Sequence, residues 1–257
     1  MKKFSKIYLA LAFVILYFPI FYLMAYAFNA GGDMNRFTGF TLEYFQNMFG
    51  DSRLMLILAQ TFLLAFLSSL IATVIGTFGA IYIYQAKDRF QNQLLSINNI
   101  LMVAPDVMIG ASFLLLFTMI KFQLGFLTVL LSHVAFSIPI VVLMVLPRLK
   151  EMNADMISAA YDLGATQPQM LKEIMLPYLT PAIIAGYFMA FTYSLDDFAV
   201  TFFVTGNGYS NLSVEIYSRA RQGISLEINA LSTLVFLFSV LLVIGYYFIS
   251  REKEETV

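Results

Sequence analysis

Asn153-Ala154-Asp155-Met156-Ile157-Ser158-Ala159-Ala160-Tyr161-Asp162-Leu163-Gly164 is a polar island in an apolar chain, and it runs on to Ile174-Met175-Leu176-Pro177. Glycine most readily ends a helix in a left-handed turn, so the stretch reads as two short helices broken at Gly164. Asn153 suits the N-cap of the first, where its side-chain oxygen would accept a free amide. Thr166 and Gln169 have capping-box spacing for the second, and Pro168 falls in a first turn that has no internal amide bonds to lose. On the first helix Met156, Ala160 and Leu163 share one face, while Asp155, Ser158 and Asp162 share the other. Such a hairpin presents a surface that can dock on a partner.

What surrounds the island is membrane-like. The chain is 60% hydrophobic and 12% charged, whereas soluble domains are about half apolar and about a quarter charged. A spanning helix needs about 20 apolar residues. Nearly uncharged runs of that length occupy residues 7–28, 54–84, 94–120, 122–147, 178–205 and 228–250, which predicts an all-α membrane protein of six transmembrane helices in one permease-like domain, 1–257. The first run follows a basic start and ends near Ala25-Tyr26-Ala27, like a signal peptide. At 22 residues it exceeds a signal core of about 7–15, and it is expected to be retained. The longest run leaves room for tilt. A net charge of −1 offers no bulk attraction to nucleic acid. With no cysteine there is no disulfide, thiol nucleophile or thiolate metal site in this chain. One histidine, His133, has no acidic or histidine partner near it in its run, and an interhelical hydrogen bond is expected of it rather than metal ligation.

Lysine and arginine set the orientation. With the amino terminus cytoplasmic, the inner segments hold ten basic residues (Lys2, Lys3, Lys6, Lys87, Arg89, Arg148, Lys150, Lys172, Arg251 and Lys253), and the outer segments hold five (Arg36, Arg53, Lys121, Arg219 and Arg221). Both termini and the 150–177 loop are thus expected in the cytoplasm. The outer segments 31–53 and 206–227, rich in Gly, Asn and Ser, suit solvated loops or short interfacial helices. Only residues 121–125 are available as a connection between the third and fourth helices, which predicts a tight hairpin.

Ala159-Ala160, Gly164 and the Ile174-Met175-Leu176-Pro177 end, at these spacings, resemble the "EAA" loop of the membrane subunits of bacterial ABC importers. Ser158 stands where that family often has glutamate. The resemblance implies an importer type I permease whose cytoplasmic coupling helix-turn-helix enters a cleft of a separate ATPase. It assigns Ser158, Ala159, Ala160, Tyr161, Asp162, Leu163, Gly164, Ile174, Leu176 and Pro177 to that contact. It also implies that this chain binds no cofactor, that ATP and Mg reside on the partner, and that it is not itself an enzyme.

Three acidic residues fall inside predicted spans: Asp106, Asp196 and Asp197. A carboxylate at the bilayer centre costs about 3 kcal/mol on the lenient scale, so such residues face a cavity or a partner. On a continuous helix Tyr193, Asp197 and Thr201 lie along one stripe, where an aromatic face beside a carboxylate suits an organic ammonium. Adjacent Asp196 and Asp197 point about 100° apart, and either could face the pathway. Asp106 follows Pro105 and could cap a proline break or meet a cation. No predicted span carries an interior lysine or arginine, which disfavours an anionic solute.

The runs Phe191-Thr192-Tyr193-Ser194-Leu195-Asp196-Asp197-Phe198, Ala104-Pro105-Asp106, Ser132-His133 and Glu215-Ile216-Tyr217-Ser218 resemble the spermidine/putrescine permeases of that importer class. This implies alternating-access import of polyamines across the bacterial cytoplasmic membrane. It also implies a second homologous permease, an ATP-binding subunit dimer and an external polyamine-binding protein. Alternatives are a permease for another small cationic or neutral solute, or a proton-coupled secondary transporter; the latter would more often show an inverted repeat, and none is evident. An intramembrane aspartyl protease needs two aspartates facing across helices, which the consecutive pair cannot supply.

Overall fold

In the computed structural model, which describes residues 2–222 and 226–254, the chain is helical apart from its connections and one isolated bridge between Asn29 and Phe40. Helix is what the apolar runs require, because backbone polar groups in lipid have no water to bond and a helix satisfies them within one segment. In order the helices are α1 (Lys2–Tyr26), α2 (Glu43–Gly50), α3 (Ser52–Gln85), α4 (Asp88–Val103), α5 (Asp106–Met119) and α6 (Phe126–Lys150). There follow α7 (Ala154–Asp162), α8 (Gln167–Gln169), α9 (Leu176–Asp196), α10 (Ala199–Val204), α11 (Leu212–Gln222) and α12 (Leu226–Glu254). A π-helical stretch, Met170–Met175, joins α8 to α9. Pro177 accounts for this local widening, since it lacks an amide and crowds the Glu173 carbonyl four residues before it.

Four helical stretches among the described residues are long and apolar enough to cross a bilayer: Lys6–Tyr26, Ser52–Gln85, Phe126–Lys150 and Gln167–Asp196. Two expected spans are not continuous. The run 94–120 is split into α4 and α5, bent by 104°. Pro105 is the cause: it disfavours helical backbone at the preceding residue, and Ala104 is extended at φ −63°, ψ 135°. The run 178–205 stops at Asp196, where Asp197 turns extended (ψ 123°) before α10 starts afresh. The fourth span begins at Phe126 rather than 122, because Lys121 at φ 54° belongs to the turn. The second half of the polar hairpin is also not a separate short helix; from Gln167 it runs straight into the span. Residues 223–225 of the segment 206–227, expected on the outer side, lie outside the described residues, as do the side chains of Lys2, Lys3, Arg251 and Lys253.

The chain forms two compact units, Ile57–Val214 and Met1–Leu56 with Glu215–Val257. In the first, α6 is the axis and is largely buried. Val141, Val145 and Leu149 of α6 pack with Ala80 of α3 and Leu179 of α9, and this cluster reaches Ala160, Met170 and Met175 at the polar hairpin. Farther along α6, Val129 and Phe136 pack with Ile109 and Phe117 of α5 and with Val200 and Val204 of α10. Lipid tails are as apolar as leucine, so these contacts hold by close fit rather than by escape from water. Gly110 supplies one such fit: a Cβ there would lie 2.8 Å from Phe203, 3.0 Å from the Val200 Cα and 3.1 Å from the Ala199 carbonyl.

In the second unit, buried Asn29 organises the loop after α1. Its amide donates to the Asp33 and Arg36 carbonyls at 2.8 and 2.7 Å, and its oxygen accepts the Thr38 amide at 2.8 Å. Arg219 of α11 bridges Asp51 at 2.9 Å and Glu215 at 2.8 Å, and Arg53 adds a 3.2 Å pair to Glu215. The Arg219 hydrogen bond and the Leu54 amide hold the Asp51 carboxyl below its ordinary pKa. The segments 31–53 and 206–227, expected on the outer side, contain the helices α2 and α11 as well as loop.

Candidate functional site

The two helix breaks open onto one cavity. It measures about 580 Å³ and is lined by Asp106, Asp196, Asp197, Tyr193, Phe136 and Phe198, with methionines and aliphatic side chains completing the wall. Three carboxylates distributed over α4–α5, α9 and the α9–α10 break are thus gathered by tertiary structure into one chamber.

Asp106 begins α5 and is exposed to the chamber; it does not cap the proline break with its side chain. Tyr193 donates its hydroxyl to Asp106 Oδ1 at 2.9 Å, tying α9 to the start of α5. The Tyr193 ring meets Phe136 edge-on at 5.1 Å and remains 41% exposed, so one aromatic face is available to a cation. Asp196, the last residue of α9, is exposed as well.

Asp197 is different, and here the stripe expected from a continuous helix fails. Its side chain is 7% exposed, and its carboxylate accepts the free amides at the start of α10. Oδ1 accepts the Val200 amide at 3.2 Å, and Oδ2 accepts the Thr201 amide and hydroxyl, each at 2.8 Å. Thr201, expected on the pathway, is fully buried behind Asp197 and is not part of the chamber wall. The signal was present in the sequence: an aspartate followed by a short apolar helix is an N-cap pattern. The uncharged run hid it.

His133, from which the sequence led one to expect only an interhelical hydrogen bond, stands at the centre of this break. It is fully buried on α6, with Nδ1 2.7 Å from Ser194 Oγ and Nε2 2.8 Å from Thr201 Oγ1. Asp197 Oδ2 is 3.3 Å from Nε2. The expected interhelical hydrogen bond is present, but it has an acidic neighbour that only the fold brings close. Among the described residues no cluster of three or more His, Asp or Glu could hold a metal ion.

The polar hairpin forms the second surface. Asn153 Oδ1 accepts the Asp155 amide at 2.9 Å, and Gln169 Oε1 accepts the Thr166 amide at 2.9 Å, so both caps form. Gly164 sits at φ +85°; its amide donates to Tyr161 and that of Ala165 to Ala160, which is a Schellman turn. Ala160 and Ile157 face inward, whereas Met156 and Leu163 do not share the buried face; Leu163 is 90% exposed. Ser158, Ala159, Tyr161, Asp162 and Gly164 are exposed too. Ile174 and Leu176 pack beneath the hairpin, and Pro177 is exposed.

Residues 72–251 match the family described as binding-protein-dependent transport system inner membrane component. The chain is 35% identical over 95% of its length to the spermidine/putrescine transport system permease protein PotC of Escherichia coli (strain K12), covering 92% of that protein. It is 32% identical to the Haemophilus influenzae protein of the same name, over 96% of each chain. The putrescine transport system permease protein PotI of Escherichia coli (strain K12) is 32% identical, over 97% of this chain and 92% of that one. Among solved structures, a chain of a bacterial ABC transporter importing the acidic polysaccharide alginate superposes with TM-score 0.77 at 16% identity, over 97% of this chain and 94% of that one. A chain of the MetNI methionine ABC transporter, in an inward-facing form, gives 0.65 at 17% identity, over 76% and 95%. At these identities the structural likeness speaks to the fold.

Proposed function

Because this chain belongs to the binding-protein-dependent transport system inner membrane components, we propose that it is the permease subunit through which an ATP-driven importer moves spermidine or putrescine across a bacterial cytoplasmic membrane. The observation that carries the reading is the chamber, where Asp106, Asp196 and Asp197 converge beside Tyr193 and Phe136. A polyamine is a flexible chain of methylenes between ammonium groups. Carboxylates neutralise the ammoniums, aromatic faces attract them, and the apolar wall of Leu101, Met102, Ile140 and Met189 covers the methylenes. An anionic solute would instead meet three carboxylates. The relatives named for spermidine and putrescine support the same substrate class.

The chain works as one permease domain with both termini and the 150–177 hairpin in the cytoplasm. It pairs with a second homologous permease and an ATP-binding subunit dimer, which holds ATP and Mg, and it receives its substrate from an external polyamine-binding protein. ATP closing the ATPase dimer drives the exposed Ser158–Gly164 surface. Because α7 rests on the α6–α9 core through Ile157 and Ala160, that displacement reaches the spans and turns the chamber outward; hydrolysis reverses it. Release requires that the chamber bind strongly enough to accept the cation and weakly enough to let it go.

The test is spermidine uptake into proteoliposomes holding the assembled complex and receptor, with and without enclosed ATP, and with the proton gradient collapsed. Uptake that requires ATP and ignores the gradient is expected. Gradient-driven uptake would refute coupling, and an ATP-active complex that moves no polyamine would refute the substrate.

A further inference from the structure

Asp196 and Asp197 are consecutive, yet the fold treats them differently. The Asp196 carboxylate has no hydrogen bond or ion pair among the described residues and is exposed to the chamber. Asp197 accepts from two backbone amides and a hydroxyl, and a histidine stands beside it. We infer that His133 is a positioning residue that commits Asp197 to holding the start of α10, leaving Asp196 and Asp106 to meet the transported cation. The division rests on the polyamine reading of the chamber; the positioning role of His133 does not.

Hydrogen accounting supports it. Thr201 has one hydroxyl proton, and it is directed at Asp197 Oδ2, a carboxylate oxygen that can only accept. The Asn211 amide also donates to Thr201 Oγ1, at 3.1 Å, so that oxygen has no proton left to give. His133 Nε2 faces this oxygen and Asp197 Oδ2 alone. A bare nitrogen there would oppose two acceptors, so Nε2 carries the proton and donates toward the break. On the other side Nδ1 meets Ser194 Oγ, which in turn lies 2.9 Å from Ser68 Oγ; hydroxyls accept or donate as required, and they fix the ring plane.

The result is a fully buried bridge. His133 of α6 is tied to Ser194 of α9 and to Thr201 of α10, on either side of the break at Asp197. Asn211 closes the assembly by donating to the Asp197 carbonyl at 2.8 Å. A broken helix in a membrane persists only where its freed backbone groups find such partners. Phe198 and Ala199, which line the chamber, sit on the piece of chain this bridge holds in place.

The experiment exploits the absence of cysteine from the chain. In an assembled complex with cysteine-free partners, Ala199→Cys places one thiol on the chamber wall, and its reaction rate with a neutral methanethiosulfonate reports whether α10 stays seated. Two substitutions separate the nitrogens: His133→Gln keeps a donor near the Nε2 position, whereas His133→Asn reaches only as far as Nδ1. His133→Asn is expected to change the labelling rate and to lower maximal spermidine uptake about tenfold with KM within about twofold. His133→Gln is expected to stay within about twofold of the wild type in all three. Asp196→Asn is expected to leave labelling unchanged and raise the spermidine KM about tenfold. Equal behaviour of His133→Asn and His133→Gln, or an effect of His133→Asn on KM alone, overturns the inference. If the wild-type complex takes up no spermidine, the labelling contrast still decides the role of His133, and only the polyamine reading falls.

Discussion

Gly164→Val is expected to uncouple ATP hydrolysis from transport without disturbing the spans. Gly164 adopts φ +85°, and no atom lies within 4 Å of the position a Cβ would take. Valine therefore collides with nothing around it; its cost is conformational. A left-handed backbone costs an L-residue about 1–2 kcal/mol, and the β-branch puts valine at the upper end. If the turn opens instead, the bonds from Gly164 to Tyr161 and from Ala165 to Ala160 are lost, at about 1 kcal/mol each. The strain of valine alone shifts the balance between closed and open turn by about 2 kcal/mol, roughly thirtyfold toward open forms, and so offsets what those two bonds give the closed turn. Only nine residues long, α7 is seated chiefly by Ile157 and Ala160 and has little to resist this. The assay is receptor-stimulated ATP hydrolysis and spermidine uptake measured on the same complex. Gly164→Asn serves as control, since asparagine tolerates left-handed backbone and should keep most of the coupling. Valine and asparagine variants with equal, near-wild-type coupling would refute the reasoning.

At Gly110 the expected failure is steric. Gly110→Val places a Cβ within about 3 Å of the Val200 Cα and the Ala199 carbonyl, backbone that cannot swing aside; a cost of about 1–3 kcal/mol should appear as a lower melting temperature of the detergent-solubilised complex. Tyr193→Phe keeps the ring and removes only the hydroxyl bond to Asp106, so the spermidine KM should change less than about threefold, whereas Asp106→Asn, which removes a charge from the wall, should raise it about tenfold. Asp51 gives a pH test. Its carboxyl titrates lower in the folded protein, so its contribution to stability is complete above the unfolded value of about 3.9 and is lost as pH falls through the folded one. Melting temperature against pH should therefore fall less steeply below about pH 4 in Asp51→Asn than in the wild type.

Hydropathy located each apolar run, because crossing a bilayer is a demand on composition that a linear window can read. The hairpin was legible for a related reason: Asn153, Gly164, Thr166 and Gln169 form caps and a turn whose partners lie within five residues, and those bonds are present. The breaks at Ala104-Pro105 and Asp197-Phe198 were half legible, since a proline and an N-cap aspartate stood there, but uncharged length argued for continuity. What the sequence could not determine was company. Asp106 meets Tyr193, 87 residues away, and His133 meets Ser194 and Thr201, 61 and 68 residues away. Nothing in local periodicity distinguishes Asp196 from Asp197; both line the chamber, but one residue of helix end leaves the first exposed and buries the second against the start of α10 beside an imidazole. Local bonds follow from neighbouring residues, whereas the environment of a buried charge follows from which helices pack against it, and only the tertiary structure decides that.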